Sequence, residues 1–201
     1  GLHATIPANQ PMKVEMQKIG SLFQRNYEGD RLVRDEVVPG SEWVIAGEGV
    51  ATRKFDGTCC RVQGGVLSKR FDAKAGKAPP PGFEPAQDPD PVTGHWPGWL
   101  PVGEGSEDRW FREAWDADQT LADGTYELCG PKVQGNPEGF ERHVLIRHGV
   151  ETLPDFPRSF DAIKEALLPS TIEGVVWHHP DGRMVKIKRR DFVKSGPKHR
   201  S

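Results

Sequence analysis

The stretch Glu173-Gly174-Val175-Val176-Trp177-His178-His179-Pro180-Asp181-Gly182-Arg183-Met184-Val185-Lys186-Ile187-Lys188 decides how this chain folds. Ile172 to Trp177 and Arg183 to Lys188 are short runs rich in β-branched and aromatic residues. Between them, His178 to Gly182 carries the Pro, Asp and Gly of a turn. The stretch therefore predicts two antiparallel strands. In the second strand a period of two puts Met184, Lys186 and Lys188 on one face and Val185 and Ile187 on the other. Two ammonium groups thus converge on one spot. They repel each other, which a strand tolerates when it holds an anion between them.

Similar runs lie upstream. Gly124 to Cys129 and Arg142 to Arg147 read as strands, and Cys59 to Gln63 pairs with Val66 to Arg70 across Gly64-Gly65, a good hairpin signal. Trp43-Val44-Ile45 reads as another short strand. Ser106 can cap a helix with Trp110, Phe111, Ala114 and Trp115 on one stripe. Ser159 can cap a second, with Phe160, Ile163 and Leu167 inward and Pro169 as its stop. Strands with a few helices and no regular βαβ alternation predict an α+β fold of antiparallel sheets flanked by helices.

The chain has 201 residues, 35% of them hydrophobic, which suits a single domain over 1–201 with a real core. No apolar run approaches the ~20 residues that span a bilayer, and no charged-then-apolar leader opens the chain, so a cytoplasmic protein is expected. Cys59, Cys60 and Cys129 have neither the number nor the spacing of a disulfide framework or zinc site. Gly1 to Gln10 carries no pattern. Residues 78–105 contain eight prolines, which predicts a long surface insertion loop, with Trp96 and Trp99 arguing for partial order.

The net charge of −2 hides an asymmetry. Arg183 to Ser201 holds eight Lys or Arg against Asp191 alone, whereas Glu84 to Glu127 holds eleven acids against Arg109 and Arg112. A basic tail over 189–201 suits a phosphate backbone or simply balances the acidic segment.

Lys54-Phe55-Asp56-Gly57 carries the chemistry. A Lys-x-Asp-Gly tetrad offers a lysine amine to the α-phosphate of a nucleotide. An amine attacks phosphorus only when neutral, and nearby positive charge disfavours the ammonium form. Lys186, Lys188, Arg70 and a divalent cation are candidate sources of that charge. Glu127 and Glu173 supply the hard oxygens that Mg²⁺ or Mn²⁺ takes, usually from one or two carboxylates together with phosphates.

In sequence order these elements are Lys-x-Asp-Gly, the basic Lys69-Arg70, Glu127, Glu173-Gly174 before a hydrophobic run, and Lys186-x-Lys188. That order resembles the covalent nucleotidyltransferase superfamily of ATP-dependent ligases and mRNA-capping enzymes, across Val50 to Phe192. Gly130 to Asn136, reading Gly-Pro-Lys-Val-Gln-Gly-Asn, looks most like phage-type nick-sealing RNA ligases. Asp90 to Trp99 is similar to a group of short single-domain RNA ligases found in bacteria and animals.

The resemblance implies a nucleotidyltransferase (ATP-grasp-like) ligase fold and an ATP-dependent RNA ligase. Such an enzyme joins RNA 5′-phosphate and 3′-hydroxyl ends through a lysyl-AMP intermediate. It implies Lys54, Lys186 and Lys188 as catalytic residues, the lysine pair contacting the α-phosphate. Asp56, Gly57 and Arg70 would join them around the nucleotide, Glu127 would bind the ribose or the metal, Glu173 the metal, and Val176 would pack under the adenine. Ile146 aligns best with the upper face of the base, where this chain has no aromatic residue and His148 could stack instead. Many DNA ligases have an arginine where this chain has Cys59, with Arg61 two residues on, a departure that favours RNA over DNA. A capping-type guanylyltransferase, a DNA ligase and a non-catalytic nucleotide- or RNA-binding relative are the alternatives.

Overall fold

The structure is a computed structural model describing residues 14–16 and 19–194. Gly1 to Gln10 and the tail residues Lys198 and Arg200 lie outside the described residues. The first strands are β1 (Gly20–Ser21), β2 (Phe23–Arg25), β3 (Val33–Val37), β4 (Val50–Lys54), β5 (Thr58–Gln63) and β6 (Val66–Lys74). They are followed by β7 (Glu84–Pro85), β8 (His95–Pro101), β9 (Gly124–Cys129), β10 (Val144–Arg147), β11 (Gly174–His178) and β12 (Met184–Lys188). Three α-helices interrupt them, α1 (Glu42–Ile45), α2 (Arg109–Ala117) and α3 (Phe160–Leu167). The fold is α+β with mostly antiparallel sheets, as the sequence predicts. No helix among the described residues is long and apolar enough to cross a membrane.

The chain divides into two compact units. One comprises Gln17–Asp56 and His148–Ser201 and is built on a sheet in the order β1-β12-β11-β4. β11 runs antiparallel to both neighbours, while β1 pairs parallel with β12, a departure from the purely antiparallel expectation. Gly174 stands opposite Lys54 on one side and Lys188 on the other, and Val176 stands opposite Thr52 and Lys186. Laterally paired residues share a face. One face therefore carries Lys54, Thr52, Val176, His178, Met184, Lys186 and Lys188. The other buries Ala51, Val175, Trp177, Val185 and Ile187 in a core completed by Leu22, Phe23, Val44, Ile163 and Leu167.

The expected alternation in β12 and the inward stripe of α3 both hold. Trp43 to Ile45, expected as a strand, is instead the single helical turn α1. Ala46 N–H donates to the Glu42 carbonyl, and Trp43 and Val44 are buried in succession, which a one-faced strand cannot achieve. The strand expected from Ile172 begins at Gly174 and runs on to His178, so the turn starts at His179.

The other unit comprises Gly1–Met16 and Gly57–Arg147 and holds an antiparallel sheet in the order β10-β9-β5-β6-β8-β7. The β5–β6 hairpin forms as expected, Gln63 pairing with Val66 across Gly64 (φ 57°) and Gly65 (φ 76°), the two positive φ values that a tight two-residue hairpin requires. Cys60, Val62, Leu67, Tyr126 and Leu128 form its apolar face against Phe111 and Ala114 of α2. That helix starts later than expected, after a 3-10 turn over Ser106–Asp108, with Asp108 rather than Ser106 at its N-cap.

The loop expected over 78–105 gives way in its second half to β8, which pairs with β6 along its length and buries Trp99. A strand containing Pro97 and Pro101 is tolerated there because its outer neighbour, β7, has only two residues to bond. β10 begins at Val144 rather than Arg142 because His143 is committed elsewhere. Its Nε2 accepts from the Lys132 N–H, its Nδ1 meets Glu113, and its ring stacks on Trp110 at 4.5 Å.

Candidate active site

Lys54 is the last residue of β4, and its Nζ lies 3.3 Å from Glu173 Oε2, one position before β11 begins. Their positions follow from the ladder, in which Gly174 alone separates Lys54 from Lys188. A side chain at Gly174 is impossible without rearrangement, since a Cβ there would stand 2.2 Å from the Ile187 carbonyl oxygen. The Glu-Gly pair thus delivers a carboxylate to Lys54 and leaves the row between the two lysines clear.

Burial pushes the Glu173 carboxyl above its ordinary value; Lys54 pulls it back and the nearby Asp56 pushes it up again. Burial also lowers Lys186, with the Lys54 charge adding to the effect. Lys188 is lowered by burial first, then by Arg190, Lys186 and Lys54. Three ammonium groups therefore sit within electrostatic reach of one another. Asp191, the next acid along, is occupied: it pairs with Arg25 and accepts the Lys188 backbone N–H. Arg189 is likewise tied to the Leu168 carbonyl, while Arg190 is exposed. Such a cluster suits a polyanion, whose charge would offset the repulsion.

Glu173, with Asp56 beside it, presents hard oxygens to a divalent cation. Among the described residues no three potential metal-ligating side chains gather in one place. A cation held at Glu173 would complete its shell from phosphate oxygens and water, as Mg²⁺ commonly does.

The lysine face continues past Val176. Thr52 Oγ1 donates to the Val176 carbonyl at 2.9 Å, and His178 Nε2 lies 3.0 Å from the same hydroxyl oxygen. Sequence reasoning missed both residues. The signal was present, since Thr52 is two residues before Lys54 and His178 two after Val176, the strand period that already linked Lys186 to Lys188.

Gly57, Arg70, Glu127 and Ile146 belong to the other unit. A Cβ on Gly57 would stand 2.1 Å from the Leu128 carbonyl oxygen, so the tetrad's glycine is demanded by backbone approach. Glu127 is buried at the centre of β9, paired with Cys59 and Ile146, and shares their face of the sheet, opposite the apolar one. Arg70 projects on that face too, half-exposed, with its Nε 3.2 Å from Asp72 Oδ1. Arg61 is buried on the same face, paired with Glu84 and packed on Trp99 with 5.3 Å to the ring centre. The candidate set thus divides, with Lys54, Asp56, Glu173, Val176, Lys186 and Lys188 in one unit and Gly57, Arg70, Glu127 and Ile146 in the other.

A family model described as RNA ligase 1 matches residues 112–200, a span that includes Glu127, Glu173, Lys186 and Lys188. The chain is similar to RNA ligase 1. The Mus musculus protein of that name is 27% identical over 70% of this chain and 65% of its own length. The Rattus norvegicus protein is 27% identical over 70% of this chain and 66% of its own length, and the Danio rerio protein 37% identical over 34% and 24%. The matched part spans less than two thirds of the length of these curated relatives. Together the matches support an RNA ligase family for this chain, and the nucleotidyltransferase superfamily is consistent with it.

Proposed function

We propose that this chain is an ATP-dependent RNA ligase that works through a covalent lysyl-AMP on Lys54, within the nucleotidyltransferase ligase fold. The observation carrying this reading is the convergence of Lys54, Lys186 and Lys188 on one face of the β4-β11-β12 ladder, with Glu173 Oε2 3.3 Å from Lys54 Nζ. The similarity to RNA ligase 1 proteins favours RNA as the polymer.

The reaction has three steps. Lys54 Nζ, having lost a proton, attacks the α-phosphorus of ATP; a P–N bond forms, the bond to the β-phosphate oxygen breaks, and pyrophosphate leaves. A 5′-phosphate oxygen of RNA then attacks the same phosphorus, breaking the P–N bond and taking AMP onto the RNA end. Finally a 3′-hydroxyl attacks that 5′-phosphate and AMP departs. Lys186 and Lys188 would hold the α-phosphate oxygens and offset the charge that develops as each leaving group departs, the term that carries most of the rate in phosphoryl transfer.

Glu173 would hold a Mg²⁺ or Mn²⁺ ion, which when bound polarises phosphate oxygens and neutralises their charge. Val176 would floor the adenine. Glu127, Arg70 and Ile146 are proposed to meet the ribose, the phosphates and the upper face of the base. The test is the intact mass of the protein after incubation with ATP and Mg²⁺. A gain of one AMP, mapped to Lys54 and lost in Lys54→Ala, is expected. An adduct that survives in Lys54→Ala would overturn the assignment.

A further inference from the structure

We propose that His178 selects the base of the nucleotide, its Nδ1 accepting a hydrogen bond from a 6-amino group so that the site takes a 6-aminopurine and turns away a purine without that donor. The inference rests on the reading of Lys54 as the nucleotide-accepting amine and adds to it a residue that reads the base.

The hydrogen-bond pattern determines which nitrogen of His178 is bare. Thr52 has a single hydroxyl proton, and Oγ1 donates it to the Val176 carbonyl at 2.9 Å. Facing His178 Nε2 at 3.0 Å, the same oxygen can only accept. Nε2 therefore carries the ring proton, and Nδ1 is left with its lone pair. Nδ1 makes no hydrogen bond among the described residues. Burial pushes the imidazole below its ordinary value and the neighbouring His148 adds to this, so the ring is neutral near pH 7. A neutral ring with a fixed tautomer is an acceptor and cannot become a donor for a 6-oxo group.

Position points the same way. Gly174, Val176 and His178 follow one another on one face of β11, spaced by about 7 Å per pair of residues. Lys54 and Lys188 flank Gly174, and Thr52 and Lys186 flank Val176. A nucleotide with its α-phosphate at Lys54 and its base over Val176 extends towards His178. The ring also packs closely on backbone. Gly149, at φ +79°, lies against it so closely that a Cβ there would stand 3.1 Å from Cε1 and 3.3 Å from Nε2. An acceptor oriented by its Nε2 hydrogen bond to Thr52 discriminates by leaving a wrong partner unbonded.

The 6-amino group of adenine is a donor, whereas guanine presents an acceptor at that position. The experiment compares initial rates of covalent labelling of the full chain, in Mg²⁺, with ATP, GTP and purine riboside triphosphate, which lacks the 6-amino group. Wild-type protein is expected to favour ATP over both by about tenfold, the upper worth of a single neutral hydrogen bond. In His178→Ala the ratio of ATP to purine riboside triphosphate should collapse to within about twofold. His178→Gln, whose side-chain carbonyl can accept, should restore part of it. Equal wild-type rates with ATP and purine riboside triphosphate, or an unchanged ratio in His178→Ala, would overturn the proposal. Wild-type protein that labels with no nucleotide would instead refute the reading of Lys54 on which it stands.

Discussion

Lys54 Nζ and Glu173 Oε2 lie 3.3 Å apart, joining the end of β4 to the approach of β11. The pair poses a chemical problem that the proposed function must solve. An ammonium held by a carboxylate has no lone pair to give, and an amine that attacks phosphorus must have one. The same carboxylate is the one proposed to hold a divalent cation. Glu173 cannot serve both partners fully, so occupancy by one weakens its hold on the other.

Glu173→Gln separates the two roles. If the carboxylate's function is to hold a cation, the glutamine variant should need at least about tenfold more Mg²⁺ for half-maximal labelling of Lys54, the price of one charged ligand. If it serves only to park Lys54, labelling should be unaffected or faster. A Mg²⁺ titration of labelling rate distinguishes the outcomes.

The same variant has a pH signature. Burial raises the Glu173 carboxyl in the folded state above its ordinary value. A raised carboxyl contributes stability that is fully present below the unfolded pKa and is lost as pH rises through the folded one. Wild-type protein therefore bears a desolvation cost at neutral pH that glutamine escapes. The difference in melting temperature, Glu173→Gln minus wild type, should rise between about pH 4 and pH 7. A flat or falling difference would mean that Lys54 compensates the buried charge in full.

Much of this was legible in the sequence because β-strand chemistry is periodic. Lys186 and Lys188 share a face by spacing alone, and Val185 and Ile187 point into the core for the same reason. Gly64-Gly65 fixed the β5–β6 hairpin through its demand for positive φ. What escaped was decided by tertiary contacts. Trp43 to Ile45 is too short to display a period, and burial of adjacent side chains made it helical. The prolines of residues 78–105 argued against a strand, yet a two-residue neighbour made β8 possible. β1, β2 and β3 carry little local signal, and β1 acquires its place by pairing with β12. Thr52 and His178 share the lysine face by the same strand period, but the hydrogen bond that links them across β4 and β11 is visible only in the structure.

Gly174→Ala tests whether the glycine beside Glu173 is structural. Its Cβ would meet backbone, the Ile187 carbonyl oxygen at 2.2 Å, and no flexible side chain is available to give way. The β11–β12 ladder must shift, at a cost of about 1–3 kcal/mol. Chemical denaturation should reveal a loss of that size, together with slower labelling of Lys54, since Lys54 and Lys188 both take their positions from this row.

Lys186→Met should trade activity for stability. The lysine is charged in a half-buried position beside Lys54, and its folded pKa is lowered from 10.5 by burial and by that charge. A depressed lysine pKa means that the stability at issue is present above the unfolded value and lost as pH falls through the folded one, so at neutral pH the ammonium is a burden. Methionine keeps the aliphatic length and removes the charge. The variant should melt above wild type at pH 7, with the advantage shrinking as pH approaches 10.5, while labelling by ATP falls by at least about tenfold with the loss of one phosphate contact. Pyrophosphate should raise the melting temperature of wild type more than that of the variant, because an anion bound between the lysines stabilises the folded state by mass action. Equal shifts in the two proteins would show that Lys186 does not face the bound anion.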